Sequence, residues 1–94
     1  MVYIDKVHYK TDYYGNEYIA SVAWTRSSNS WATQTCSKKD MISFINQTPG
    51  QVKTKFLRNG FWYIGEEVHV VENSYLRTDA NNIKADNLGN LPRF

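Results

Sequence analysis

The sequence contains few of the residues from which cross-linked or metal-stabilised scaffolds are built. It has one cysteine, Cys36, and two histidines, His8 and His69. One cysteine cannot form a disulfide within the chain, and one cysteine with two histidines cannot supply the four ligands of an all-Cys/His structural zinc site. Disulfide scaffolds and zinc modules of that kind are therefore excluded.

The chain also lacks a strong net charge and a long apolar run. Its 11 Lys and Arg residues face 9 Asp and Glu residues, which gives a formal net charge of +2. No stretch approaches the roughly 20 apolar residues of a membrane-spanning helix, and the first residues lack the basic start and apolar segment of a secretory signal. We therefore expect a cytoplasmic protein that does not enter a membrane and has no strongly cationic arm.

Aromatic residues are abundant, with 4 Phe, 3 Trp and 7 Tyr. Each large aromatic side chain buries about 150–250 Å², so we expect a small aromatic core although only 41% of the residues are apolar. A chain of 94 residues is sufficient for one domain. We predict a single domain over residues 1–94, in which 79–94 form an irregular C-terminal tail packed on the body.

Three strand patterns precede the helix. Residues 2–9 mix β-branched and aromatic side chains, and their alternation changes phase between Ile4 and Val7, which indicates a β-bulge. Turn-forming residues separate this strand from a second one at 17–25. After a polar loop, a further short strand is expected at 31–35.

One helix is predicted, and it begins after Cys36. Ser37 offers an N-cap hydroxyl and Asp40 a carboxylate three residues later, which is a variant of the capping box. Apolar residues at 41, 42, 44 and 45 form a stripe that must pack on a sheet, because so short a helix is marginal alone. Pro49 and Gly50 are expected to end it.

After the helix, alternation predicts an antiparallel strand at 51–57 whose lysines, Lys53 and Lys55, face solvent. Asn59-Gly60 predicts a type I′ turn into a long strand at 61–72, with a bulge or bend at Gly65.

A last short strand is expected at 75–78. The fold class is therefore α+β, a small, mostly antiparallel sheet or partly closed barrel of about six strands. One helix is inserted midway, in the order β-β-β-α-β-β-β.

Several short motifs occur together in an informative combination. They are Ile19, Val22 and Trp24 on an early strand, Met41-Ile42-x-Phe44-Ile45 on the helix, Tyr75-Leu76-Arg77-Thr78, and Asp86-Asn87-Leu88-x-x-Leu91-Pro92-Arg93-Phe94 at the C-terminus. With these motifs the sequence resembles the small bacterial and phage proteins of domain of unknown function family 3892. The resemblance covers nearly the whole chain, with departures in a longer Asn-rich first loop and in the aromatic run at 61–63. It implies the same small domain and no established activity, cofactor or partner.

No catalytic or metal-binding constellation emerges from the spacing. Cys36 would need a neighbouring histidine to act as a nucleophile, and both histidines lie on predicted strands, so we interpret the thiol as packing. Glu66 and Glu67 are adjacent on a strand and point to opposite faces, so they cannot flank one bond. The Asp-Asn sequences of the tail lack the spacing of a calcium loop. We expect no enzymatic activity, no cofactor and no metal.

The C-terminal motifs predict a structural lock. Its residues are Arg77, Asp86, Asn87, Leu88, Leu91 and Pro92. The leucines would fill apolar sockets, Asp86 or Asn87 would cap a turn, and Arg77 would clamp the carboxylate of Asp79 or Asp86. The alternative is a recognition patch in which Arg77 acts with Arg93 and Phe94.

The hairpin predicted around Asn59-Gly60 carries a candidate binding patch. Its residues are Lys53, Lys55, Arg58, Phe61, Trp62 and Tyr63. Aromatic residues and Arg anchor protein interfaces, so we predict a small non-enzymatic binding or accessory domain that contacts another protein or itself. The alternative is weak binding of single-stranded nucleic acid, since aromatic rings beside cations hold single strands. The low net charge disfavours that alternative.

Overall fold

A computed structural model of the chain describes residues 1–79 and 83–94. The elements are β1 (Val2–Thr11), β2 (Glu17–Thr25), β3 (Gln34–Ser37), α1 (Lys38–Gln47), β4 (Val52–Arg58), β5 (Phe61–Glu67), β6 (His69–Val71) and β7 (Tyr75–Arg77). The expected α+β class is confirmed, and so is the position of the helix between two groups of strands. Within the described residues the second group has one strand more than expected.

The strands form two sheets. Five strands lie in the order β3-β2-β1-β4-β5, and β6 pairs with β7 in a two-stranded ribbon. Strand β4 runs parallel to β1, whereas the other neighbours are antiparallel. A parallel pair needs a crossover connection, and α1 provides it by carrying the chain from the edge strand β3 to the far side of β1. The larger sheet is open and is not a barrel.

Helix α1 begins and ends as the sequence predicts. Ser37 is the N-cap, and its Oγ accepts a hydrogen bond from the Asp40 N–H over 3.1 Å. Thr48 is the C-cap, and its N–H donates to the Phe44 carbonyl. Both bonds satisfy backbone groups that a helix end leaves unpaired. No helix in the described part of the chain is long and apolar enough to cross a membrane.

The core is aliphatic, which corrects the expectation of an aromatic one. Its buried residues are Val2, Ile4, Val7, Ile19, Val22, Met41, Ile42, Ile45, Val52, Val68, Leu76 and Leu88. Tyr9, Trp24 and Phe44 only pack against the edge of this cluster. Burial stabilises by roughly 1.5–3 kcal/mol for each large aliphatic side chain, so the packing of Met41, Ile42 and Ile45 of α1 on the sheet contributes to stability.

Strand β1 contains the bulge that its pattern predicts. Ile4 lies opposite Trp24, and Lys6 lies opposite the residue that precedes Trp24. Asp5 is therefore the extra residue. Because a bulge shifts the alternation by one position, it explains the change of phase along this strand.

Strand β5 contains the second predicted irregularity, at Gly65. Lys53 lies opposite Glu67, whereas Lys55 lies opposite Ile64, so three steps along β5 match two along β4. A Cβ added at Gly65 would lie 2.3 Å from Thr54 Oγ1. Only glycine fits where the two strands approach so closely.

The short strand expected at 31–35 lies at Gln34–Ser37 instead. Trp31 and Ala32 are held in the preceding loop by contacts with distant residues. The Ala32 N–H donates to Asp5 Oδ2 over 2.8 Å, and the Trp31 ring packs against Trp62. These contacts replace strand pairing at the first residues of the predicted strand.

The long strand expected at 61–72 is divided into β5 and β6, which belong to different sheets. Val68 lies between them, and it is buried while its N–H donates to the Val52 carbonyl over 2.9 Å. The chain then leaves the edge of the larger sheet and pairs with β7. Val68 faces the core, so the pattern of apolar residues continues from β5 into β6. The sequence pattern therefore does not indicate where one strand ends and the next begins.

Candidate functional site

The binding patch predicted from the sequence lies on the β4–β5 hairpin. Asn59 and Gly60 close it with φ of +52° and +80°, the left-handed geometry at both central positions that a type I′ turn requires. Arg58 therefore lies opposite Phe61. Residues directly opposite each other point to the same face, so this register decides which residues of the binding patch meet.

Lys53, Lys55 and Trp62 share one face of the hairpin. The two lysines are two positions apart on β4, and Trp62 lies opposite Leu57, a further two positions along. Lys53 and Trp62 are half-buried. This face turns towards β1 and the loop at 26–33.

Arg58, Phe61 and Tyr63 share the opposite face. There the Tyr63 ring stacks on Phe56 with 5.6 Å between ring centres, and the Arg58 guanidinium lies 5.2 Å from the centre of the Phe56 ring. The exposed fraction of Phe61 is 68% and that of Tyr63 is 46%. The six residues of the binding patch are therefore divided between two surfaces.

The side chain of Lys55 is fully buried, so its predicted solvent-facing position is wrong. Its ammonium donates hydrogen bonds to the carbonyl of Ser27 over 2.7 Å and to the carbonyl of Ser30. It also lies 3.8 Å from Asp5 Oδ2. These acceptors replace the water around the charge, which leaves the ammonium with no access to a ligand at the surface.

Aromatic rings complete the enclosure of Lys55. The ammonium lies 4.3 Å from the centre of the Trp62 ring and 5.9 Å from that of Tyr3. Trp31 packs edge-on against Trp62 with 4.8 Å between ring centres. Cation–π attraction is strongest for a desolvated ammonium, so Trp62 covers a buried cation and is not an open stacking platform.

Burial opposes the ionisation of both members of the Asp5–Lys55 pair. Loss of water raises the pKa of the Asp5 carboxyl, although the Ala32 N–H and the Lys55 charge act in the other direction. Loss of water likewise lowers the pKa of the Lys55 ammonium, and the Asp5 charge opposes that change. Asp5 Oδ1 is buried and has no hydrogen-bond partner among the described residues.

Sequence reasoning did not identify Asp5 as the partner of Lys55. The available signal was the change of phase between Ile4 and Val7, because a bulge lets a side chain leave the regular alternation. That signal marks Asp5 as irregular. It does not say which distant residue Asp5 meets, since the partner lies on another strand.

Strand β5 is an edge of the larger sheet, and apolar side chains along it are exposed. The exposed fractions of Phe61, Tyr63 and Ile64 are 68%, 46% and 45%. The strand order leaves one side of β5 without a strand neighbour in the described part of the chain. An open edge with exposed apolar side chains is a template for pairing with another strand.

The turn determines which backbone groups point to this open side. The residues that flank a two-residue hairpin loop, Arg58 and Phe61, form a hydrogen-bonded pair. Such pairs alternate with non-hydrogen-bonded ones along an antiparallel ladder, so Trp62 and Ile64 belong to the non-hydrogen-bonded pairs. Their N–H and C=O groups therefore point away from β4.

Residues 80–82 of the predicted tail lie outside the described residues. Among the residues of the structural lock, Asp86 lies at the centre of a hydrogen-bond network. Its Oδ1 accepts from the Leu76 N–H over 2.9 Å. Its Oδ2 accepts from the Ile19 N–H over 2.8 Å and from the Lys38 ammonium over 3.0 Å. This buried carboxylate joins β7, β2 and the start of α1, while Asn87 Oδ1 caps a turn by accepting from the Gly89 N–H.

Arg77 clamps Asp79. Its Nε and Nη2 donate to the two carboxylate oxygens over 2.8 and 2.7 Å, and its Nη1 donates to the Ala85 carbonyl over 2.8 Å. A bidentate pair of this kind has a specific geometry. Arg77 is buried, whereas Arg93 and Phe94, its partners in the alternative recognition patch, are exposed.

The last residues of the chain run beside β1. The Val7 N–H donates to the Pro92 carbonyl over 2.9 Å, and the Phe94 N–H donates to the Val7 carbonyl over 3.1 Å. Leu88 is buried in the core and Leu91 packs against it. Strand β1 pairs with β4 through residues 2–4, and the tail pairs with β1 further along, at Val7.

Cys36 lines a groove of about 210 Å³ between α1 and the sheet, together with Val2, Trp24, Arg26, Asp40, Met41 and Phe44. Burial raises the pKa of the Cys36 thiol, and the Asp40 charge raises it further. Nucleophilic cysteines depend on a lowered pKa, so this environment disfavours thiolate chemistry. In the described ranges, no group of three or more His, Cys, Asp or Glu residues is placed to hold a metal ion.

Most of the chain matches the sequence profile of a known family. The sequence profile described as "Protein of unknown function (DUF3892)" matches residues 6–92. This range includes the whole β4–β5 hairpin and nearly all of the tail. No curated protein and no solved structure matches the chain.

Proposed function

The chain belongs to the DUF3892 family of proteins of unknown function, and on the geometry of its hairpin we propose that it is a small, non-enzymatic protein-binding domain. It binds an extended segment of protein as an additional strand beside β5. One observation carries this proposal: β5 is an open sheet edge with exposed apolar side chains. In strand addition, main-chain hydrogen bonds provide affinity and alternate side chains provide specificity.

The two faces of β5 supply different contacts for such a segment. Phe61 and Tyr63 are exposed on one face, and Ile64 is exposed on the other. The N–H and C=O groups of Trp62 and Ile64 point to the open side, where they can pair with the backbone of the segment. A bound segment should therefore have apolar side chains on both faces, next to these three residues.

The same geometry gives little support to single-stranded nucleic acid as the ligand. Lys55 is fully buried, and Trp62 packs over its ammonium. The remaining cations of the binding patch, Lys53 and Arg58, lie on opposite faces of the hairpin. A phosphate backbone needs cations along one surface beside accessible rings.

We further propose that the protein acts in the cytoplasm without catalysing a reaction. Cys36 forms no disulfide, which fits a reducing compartment. The raised pKa of its thiol does not suit nucleophilic catalysis.

The proposed function is tested by selecting peptides from a displayed random library on the full chain. An NMR titration of the isotope-labelled chain then locates where each selected peptide binds. We expect the amide signals of Trp62 and Ile64 to shift, because their N–H groups would gain a partner. Ile64→Pro should abolish binding, since it removes an outward N–H without removing a bond to β4.

Matched tyrosine variants control for a general loss of aromatic surface. Tyr63→Ala should weaken binding, whereas Tyr13→Ala, at an exposed tyrosine in the β1–β2 turn, should not. If the chain is monomeric, peptides that leave the β5 signals unchanged would overturn the proposal. So would a single-stranded oligonucleotide that shifts signals from Lys53 to Tyr63 and loses this effect in salt.

A further inference from the structure

We infer that the strand bound by β5 is β5 of a second copy of this chain, in an antiparallel pair centred on Tyr63. The inference rests on the proposed function and names its partner. The two larger sheets would then join into one continuous sheet across a two-fold axis.

The backbone of β5 is self-complementary about Tyr63. If Tyr63 of one copy lies opposite Tyr63 of the other, then Trp62 of each copy lies opposite Ile64 of the other. Both residues direct N–H and C=O groups to the open edge, so each of these pairs can exchange two hydrogen bonds. If one copy of β5 were shifted along the other by one residue, Trp62 and Ile64 would lie opposite residues such as Tyr63, whose N–H and C=O groups point back to β4.

The side chains of β5 fit the same register. Phe61 of each copy lies opposite Gly65 of the other, where no side chain competes for the space. The two Tyr63 rings meet at the centre as a non-hydrogen-bonded pair, in which opposite side chains approach most closely. On the other face Trp62 lies beside Ile64. The pairing therefore covers the apolar side chains that are exposed on this edge.

The charges at the two ends of β5 favour a second copy as the partner. Glu66 and Glu67 lie at the C-terminal end of the strand, and Arg58 lies at the turn, opposite Phe61. Antiparallel pairing brings the acidic end of each copy beside the Arg58 end of the other. A parallel arrangement would place like charges together, which is destabilising.

The arrangement is also closed. A two-fold pair uses the β5 edge of both copies, so no further chain can add there. The opposite edge of the sheet is β3, which has 4 residues and offers little length for pairing. We therefore expect dimers and not filaments.

Sedimentation velocity of the full chain over a range of concentrations tests the association. We expect a reversible dimer. Tyr63→Lys should shift it to monomer, because two like charges would face each other at the centre. Tyr13→Lys is the matched control, since Tyr13 is exposed and distant from β5 in the sheet order, and it should remain a dimer.

Cysteine cross-linking tests the register. In a Cys36→Ser background, Tyr63→Cys should form a disulfide-linked dimer in air, because Cα atoms in a non-hydrogen-bonded pair lie about 4.5 Å apart, within the span of a disulfide. Ile64→Cys should cross-link far less, since the two Ile64 positions do not face each other. Equal cross-linking of both variants would overturn the register.

The outcomes separate this inference from the proposed function. A wild-type chain that stays monomeric while selected peptides bind β5 would overturn the second copy as the partner and leave strand addition standing. A monomeric chain whose β5 binds no peptide would overturn both. A dimer that Tyr63→Lys leaves intact would place the interface elsewhere and overturn the inference.

Discussion

The Lys55 ammonium is held by two loop carbonyl groups, the Asp5 carboxylate and the Trp62 ring. Removing both charges from water is unfavourable, and the directions of the two pKa changes indicate that burial outweighs the attraction between them. The pair nevertheless connects three parts of the chain. Through it, β1 and β4 hold the loop at 26–33 against the sheet.

Replacement of Lys55 by a neutral side chain should be strongly destabilising. Lys55→Met removes the ion-pair partner of the buried Asp5 and leaves two carbonyl groups without this donor. We expect the free energy of unfolding to fall by about 3–5 kcal/mol in urea titrations. Lys53→Met, at the half-buried neighbour, should have little effect, and adding Asp5→Asn to Lys55→Met should recover part of the loss. Equal effects at the two lysines would contradict a buried pair.

The same variant has a pH signature. The pKa of Asp5 in the folded state is raised above its reference value of 3.8, so its contribution to stability is fully present below pH 3.8 and is lost as the pH rises through the folded-state pKa. Lys55→Met removes one of the two lysine charges that oppose this rise, the other being Lys6. The deficit of the variant relative to wild type should therefore be largest near neutral pH and should shrink as the pH falls towards 3.8. A deficit that does not change with pH would argue against an ionised Asp5.

At the scale of an element, the bulge in β5 sets the position of its open edge. Gly65 lets the strand pass so close to Thr54 that a methyl group would collide with its Oγ1. Thr54 Oγ1 also accepts a hydrogen bond from the Glu66 N–H over 3.2 Å. Thr54 therefore contacts both residues of the bulge, Gly65 by close packing and Glu66 by a hydrogen bond. Two residues after Glu66, at Val68, the chain leaves the larger sheet.

Gly65→Ala should lower the stability of this element by about 1–3 kcal/mol, because the added methyl group overpacks the contact with Thr54. Thermal unfolding measures the loss. In a double-mutant cycle, Thr54→Ala should be less harmful in the Gly65→Ala background than in wild type, since it removes the colliding oxygen. Additive effects of the two substitutions would show that the close contact does not limit stability.

At the scale of the whole molecule, the tail connects elements that are distant along the chain. Asp86 joins β2, β7 and α1, and the residues around Pro92 pair with β1. Arg93 and Glu17 add an ion pair of 2.7 Å at the surface. The C-terminal segment is thus bonded to the first two strands.

We predict that the structural lock stabilises the fold, and truncation of its residues tests this prediction directly. Leu91→Ala, and deletion of residues 91–94, should lower the midpoint of unfolding, because they remove apolar packing and the backbone bonds to Val7. Arg93→Ala should have a smaller effect, since its ion pair is exposed. An unchanged midpoint after the deletion would favour a recognition role for these residues.

Features whose causes lie within a few residues could be predicted from the amino-acid sequence alone. Ser37 and Asp40 begin the helix, and Asn59-Gly60 closes the hairpin. The change of phase near Asp5 and the glycine at 65 mark two of the three register shifts between paired strands of the described chain. Capping, turn geometry and alternation act between near neighbours, so they can be recognised without knowing the rest of the fold.

Features that depend on which residues cover a face or an edge of the sheet could not be predicted in this way, because they arise from contacts in the folded chain. Alternation assigns Lys55 to the polar face of β4, but the loop at 26–33 and Asp5 come from elsewhere in the chain and bury it. In the same way, the parallel pairing of β4 with β1 and the open edge of β5 follow from the crossover of α1. A strand pattern defines two faces, whereas the contacts on each face come from residues distant in sequence.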